Sequence, residues 1–107
     1  MADLNVTFKK PVEFTVNGEK YAIKPLSAGD GFKLSYLVEQ VVKEQEKGGD
    51  AETLSADAIK AYDAVADAFA ANAVRPDETR AILEALKDND GMTWARLLMA
   101  LAKKLMA

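Results

Sequence analysis

Apolar residues recur every second position up to Pro25 and at helical spacing after it. That switch constrains the chain more than any other feature. Leu4, Val6 and Phe8 alternate with Asn5 and Thr7. Val12, Phe14 and Val16 alternate with Glu13 and Thr15, and Tyr21 and Ile23 alternate with Lys20, Ala22 and Lys24. A period of two lines one face of a strand. Asn17-Gly18 separates the second run from the third. Both residues tolerate a positive φ, which a two-residue hairpin turn requires. The spacing therefore predicts an antiparallel hairpin of residues 12–16 and 20–24. Residues 4–8 are a third strand or an arm. Pro11 has no backbone donor, so it belongs at a strand start or in a turn.

Beyond Pro25 the pattern is helical. Ser27-Ala28-Gly29-Asp30 has the form of a helix start, with a hydroxyl to accept an orphan N–H and an acid near the positive helix end. A first helix is expected over about 28–46, with Phe32, Leu34, Leu37, Val38, Val41 and Val42 as its apolar side. Gly48-Gly49 ends it. Ser55 caps a second helix over about 56–73, where Ile59, Tyr62, Val65, Ala66, Phe69 and Ala73 follow the i, i+3, i+4, i+7 rule. Pro76 suits the first position of a third helix, and Asp77 and Glu78 suit its first turn. That helix carries Ile82, Leu83 and Leu86 and ends near Asp88-Asn89-Asp90-Gly91. A fourth runs from about 92 to 106.

Strands first and helices after them argue an α+β fold, with a small N-terminal antiparallel sheet followed by about four helices. The 107 residues match one domain of about 100–200 residues, with strands in 1–25 and the helical part in 27–107.

Function is bounded first by two missing residue types. The chain has no histidine and no cysteine. That excludes Ser-His-Asp and Cys-His catalysis, imidazole or thiolate metal sites and disulfides. Charge is even: seven basic and eight acidic residues in 1–50, seven and nine in 51–107. Binding to nucleic acid needs a local basic excess, which is absent. The N-terminus lacks the basic region and apolar run of a secretory signal. The longest strongly apolar run, Leu97 to Ala102, is far below the ~20 residues of a membrane span. A cytoplasmic protein is expected.

Three short patterns invite chemical readings and yield to simpler ones. Asp63 and Asp67 share a helix face, but no histidine or third carboxylate accompanies them, so a solvated face is expected. Asp88-Asn89-Asp90-Gly91 cannot be aligned with a calcium loop. Gly91 at loop position six puts Leu86 at position one, so a turn between helices is expected. Gly29-Asp30-Gly31 lacks the third glycine of a phosphate loop, and its acid would repel a phosphate. No catalytic, cofactor-binding or metal-ligating residue is expected, and no enzyme.

The last helix leaves two readings open. Trp94, Leu97, Leu98, Leu101 and Leu105 form one stripe, broadened by Met99 and Met106. They are either the central core or a partner-binding surface.

The segment Phe14-Thr15-Val16-Asn17-Gly18-Glu19-Lys20-Tyr21-Ala22-Ile23-Lys24-Pro25-Leu26-Ser27-Ala28-Gly29-Asp30 resembles the opening of tail assembly chaperones of long-tailed bacteriophages and prophages. Those begin with a hairpin of the form F-x-V-x-G-K-x-Y-x-[IL]-[RK]-x-L-[ST]-x-x-[DE] and continue into helices. The likeness lies mainly in residues 12–40. It implies a non-enzymatic protein of the host bacterial cytoplasm. Its client would be the long helical tape measure protein, held while tail tube protein polymerises around it. It also implies a homo-oligomer, and a short product beside a longer frameshifted one. The family has no invariant site residues to transfer. The rival expectations are a structural tail component, such as a tube or completion protein, and a small acidic inhibitor or adaptor of a host protein.

Overall fold

The computed structural model describes residues 7–48 and 55–106. Its elements are β1 (Val12–Val16), β2 (Glu19–Ile23), α1 (Ala28–Gly48), α2 (Ala56–Ala71), α3 (Pro76–Asn89) and α4 (Gly91–Met106). The fold is α+β, a two-stranded antiparallel sheet followed by four helices.

The hairpin forms where the alternation and the Asn17-Gly18 turn place it. Val12 pairs with Ile23, Phe14 with Tyr21 and Val16 with Glu19. Asn17 takes φ 51° and Gly18 φ 82°, the two left-handed positions of a type I′ turn, whose twist matches the flanking strands. The tight turn makes β2 begin at Glu19, one residue earlier than expected. Residues 4–6 of the expected third strand lie outside the described residues. Thr7 and Phe8 are not in a strand, and Phe8 is 94% exposed.

A different segment extends the sheet. Ile23 and Ala73 form an isolated antiparallel bridge. The Lys24 N–H donates to the Asn72 carbonyl, and the Val74 N–H to the Ala22 carbonyl, each at 2.9 Å. This explains why α2 stops at Ala71 instead of running on to residue 73: Ala73 is spent on the sheet. Arg75 strengthens the same junction. Its guanidinium donates to the Lys20 carbonyl, pairs with Glu78 and lies 5.1 Å from the centre of the Tyr21 ring.

Helix starts follow their caps. The Asp30 N–H donates to Ser27 Oγ at 3.2 Å and the Ala58 N–H to Ser55 Oγ at 3.1 Å. Asp90 caps α4: its carboxylate accepts from the Thr93 N–H at 3.2 Å and from the Thr93 hydroxyl at 2.6 Å. The Asp-Asn-Asp-Gly run is therefore a helix junction with a worked cap, and α4 starts at Gly91.

One core joins sheet and helices. Phe14, Tyr21 and Ile23 from the hairpin meet Leu34 and Val41 of α1, Tyr62, Val65 and Phe69 of α2, Leu83 of α3 and the buried stripe of α4. Phe14 and Tyr21 stack with ring centres 5.5 Å apart. A lone hairpin is marginal in water, and burying its inner face against helices is what stabilises it.

Candidate functional site: an aromatic surface beside a groove

The apolar side expected for α1 needs correction. Leu34 and Val41 are buried and Leu37 and Val38 half-buried, but Phe32 is 78% exposed. A helix turns about 100° per residue, so Phe32 and Leu34 stand about 200° apart and cannot share a face. Val42 is also exposed. Tyr36, one turn beyond Phe32, is 60% exposed. Residues four apart are surface neighbours, so the two rings form a ridge on the side of α1 opposite the core.

Beside that ridge lies an open groove of about 350 Å³ between the first turns of α1 and the last turn of α4. Leu26, Phe32, Leu105 and Met106 supply apolar wall, and Lys9 stands at the lip. The Ser35 hydroxyl donates to Met106 Sδ at 3.5 Å, tying the end of α4 to α1. Met106 keeps 42% of its surface exposed, and Phe8 adjoins Lys9 in the chain. Large apolar side chains left in water close to one another mark interaction surfaces. A flexible thioether lets such a surface adapt to its partner.

The α4 stripe lies elsewhere. Trp94, Leu98, Leu101 and Leu105 are buried in the chain's own core, and Leu97 is half-buried. Of the two readings left open, burial describes the core helix. At this end of α4, Met106 is the exposed apolar residue. Trp94 occupies the junction of three helices. Its ring lies 5.7 Å from that of Tyr62, and Lys87 Nζ lies 5.4 Å from its centre. The Tyr62 oxygen accepts a hydrogen bond from Gln45 Nε2 of α1. Burial raises the Tyr62 pKa, with the Gln45 bond opposing.

Asp63 and Asp67 line a second cleft, about 420 Å³, between α2 and α3. Both carboxylates are committed to cations across it. Lys87 Nζ reaches Asp63 at 2.9 and 3.0 Å, and Arg80 Nη1 reaches Asp67 at 2.8 Å. The pair faces solvent, as expected, and from that exposed face it also ties α2 to α3. Among the described residues, no group of three or more acidic side chains is placed to hold a metal ion, and no helix is long and apolar enough to cross a membrane.

Sequence reasoning missed the Phe32–Tyr36 ridge. Its signal was present in the angle between Phe32 and Leu34. Compared with protein-family models, curated proteins and solved structures, the chain matches none.

Proposed function

We propose that this chain is a non-enzymatic tail assembly chaperone of a long-tailed bacteriophage or prophage. It acts in the host cytoplasm and binds an apolar helical stretch of the tape measure protein. The reading rests on the likeness in residues 12–40 and on one observation: the exposed Phe32–Tyr36 ridge beside the open groove lined by Met106. Grooves of this kind accept the apolar face of an amphipathic helix, whose anchors recur at i, i+3, i+4 and i+7. A chaperone needs such a surface on the outside of a folded body, where a client can reach it without unfolding its carrier.

The test is co-expression with the tape measure protein encoded beside it. The wild-type chain keeps that client soluble and co-purifies with it. Phe32→Asp combined with Tyr36→Asp abolishes co-purification while leaving the melting temperature near that of the wild type, because neither ring is packed. Failure of the folded wild type to retain the client rejects the proposal. So does its presence as a stoichiometric component of purified virions, which would favour a structural tail protein.

A further inference from the structure

The two edges of the hairpin are treated differently. On β2 the backbone groups of Lys20, Ala22 and Lys24 face outward, and all three residues are engaged by the segment from Asn72 to Arg75. On β1 the two-residue turn sets the phase. Val12, Phe14 and Val16 bond inward to β2, so Glu13 and Thr15 turn their N–H and C=O groups outward. Among the described residues no backbone group meets them. An unpaired edge is a template for another strand.

We propose that β1 pairs antiparallel with β1 of a second copy, giving a four-stranded sheet in the order β2–β1–β1′–β2′ about a two-fold axis. The residues of the strand select both the occupant and the register. Outward groups must meet outward groups, so the axis passes through a residue. Centred on Glu13, the pairing opposes Glu13 to Glu13′, a direct like-charge contact. Centred on Val12 or Glu13, it also sets Pro11′, which has no N–H, against Glu13 or Thr15. Centred on Thr15, it sets Glu13 against Asn17′, which lies in the left-handed turn at φ 51°. Centred on Phe14, Glu13 faces Thr15′ and Thr15 faces Glu13′. Each of the four outward N–H groups then finds a carbonyl.

Charge agrees with that register. Glu13 already lies 3.9 Å from Lys20 on the solvent face. Across the new ladder it meets a neutral threonine, with Lys20′ beyond. The two cross-sheet rows that hold Glu13 then each carry the acid in one copy and Lys20 in the other. The pairing also turns a hairpin, marginal by itself, into a sheet of stable size. It is independent of what the groove binds.

The experiment measures the mass of the full chain by light scattering and sedimentation over a rising concentration series. The expected limit is twice 11.6 kDa. Thr15→Pro removes an outward N–H and leaves the β1–β2 bonds intact, so it yields a monomer with an unchanged circular dichroism spectrum. Register is read by cysteine pairs, which a chain with no native cysteine permits. Bonded antiparallel partners stand about 5.5 Å apart at Cα, inside the disulfide range of about 4.4–6.8 Å. Mixing Glu13→Cys with Thr15→Cys gives a cross-linked heterodimer on oxidation, and neither variant alone cross-links to the same extent. A wild type that stays monomeric throughout overturns the proposal. So does a folded Thr15→Pro variant that remains dimeric, or cross-linking of Glu13→Cys chiefly to itself.

Discussion

Trp94→Ala removes the largest fully buried side chain of the core, 1% exposed in the fold. Truncating a buried Trp or Phe to alanine costs about 3–5 kcal/mol, from lost transfer energy and the cavity left behind. The upper half of that range applies here. Trp94 also forfeits an aromatic pairing with Tyr62, itself worth about 0.5–1.5 kcal/mol. Lys87 loses the ring beneath its ammonium but keeps Asp63, which limits the damage on that side. A loss near 4 kcal/mol lowers the melting temperature by about 15–30 °C in a chain of this size, at about 4–8 °C per kcal/mol. It would remove much of the about 5–15 kcal/mol that holds a typical domain together. Thermal melts followed by circular dichroism, with urea titrations in parallel, measure it. Trp94→Phe, which keeps a ring near Tyr62, falls between the two proteins. Trp94 is the sole tryptophan, so its fluorescence in the wild type is an internal control: quenching by acrylamide is weak when folded and strong in urea. An alanine variant melting within a few degrees of wild type, or a tryptophan readily quenched in the folded protein, refutes the core placement.

Two further outcomes follow from single residues. Thr79 is fully buried with its hydroxyl unpartnered, so Thr79→Val, which removes the orphan at nearly constant volume, raises stability by about 1 kcal/mol in urea titration; a loss of that size would mean the hydroxyl has a partner. Asp90 has its pKa lowered by the Thr93 hydroxyl and backbone bonds. Its contribution is complete above the ordinary value of 3.8 and is lost as pH falls through the depressed folded value. The difference in melting temperature between wild type and Asp90→Ala therefore shrinks on acidification below that point, and a difference that grows instead contradicts the cap.

Local features were legible in the residues. The Asn-Gly turn, the caps at Ser27 and Ser55 and the proline opening α3 act through near neighbours, and the elements they bound fell within a residue or two of expectation. What escaped depends on partners distant in the chain. The ion pairs of the exposed Asp63 and Asp67 were not legible because Lys87 and Arg80 lie 24 and 13 positions away. The end of α2 was misplaced because Ala73 has no local reason to leave a helix; its reason is Ile23. The α4 stripe was ambiguous because amphipathicity reports that a face is covered, not by what. Phe32 is the exception, since its angle to Leu34 was computable from the sequence.

The bridge between Ile23 and Ala73 joins positions fifty apart, and that separation orders events in time. The hairpin closes on itself and forms on the scale of about 1–10 μs. The strap at Asn72–Val74 must wait until α1 and α2 have brought the chain back, because long loops pay their closure entropy before the contact rewards it. The β2 edge of the sheet is thus sealed only once the helices are home. Until then the nascent protein carries a hairpin with both sides open, and the interval before sealing is its most aggregation-prone.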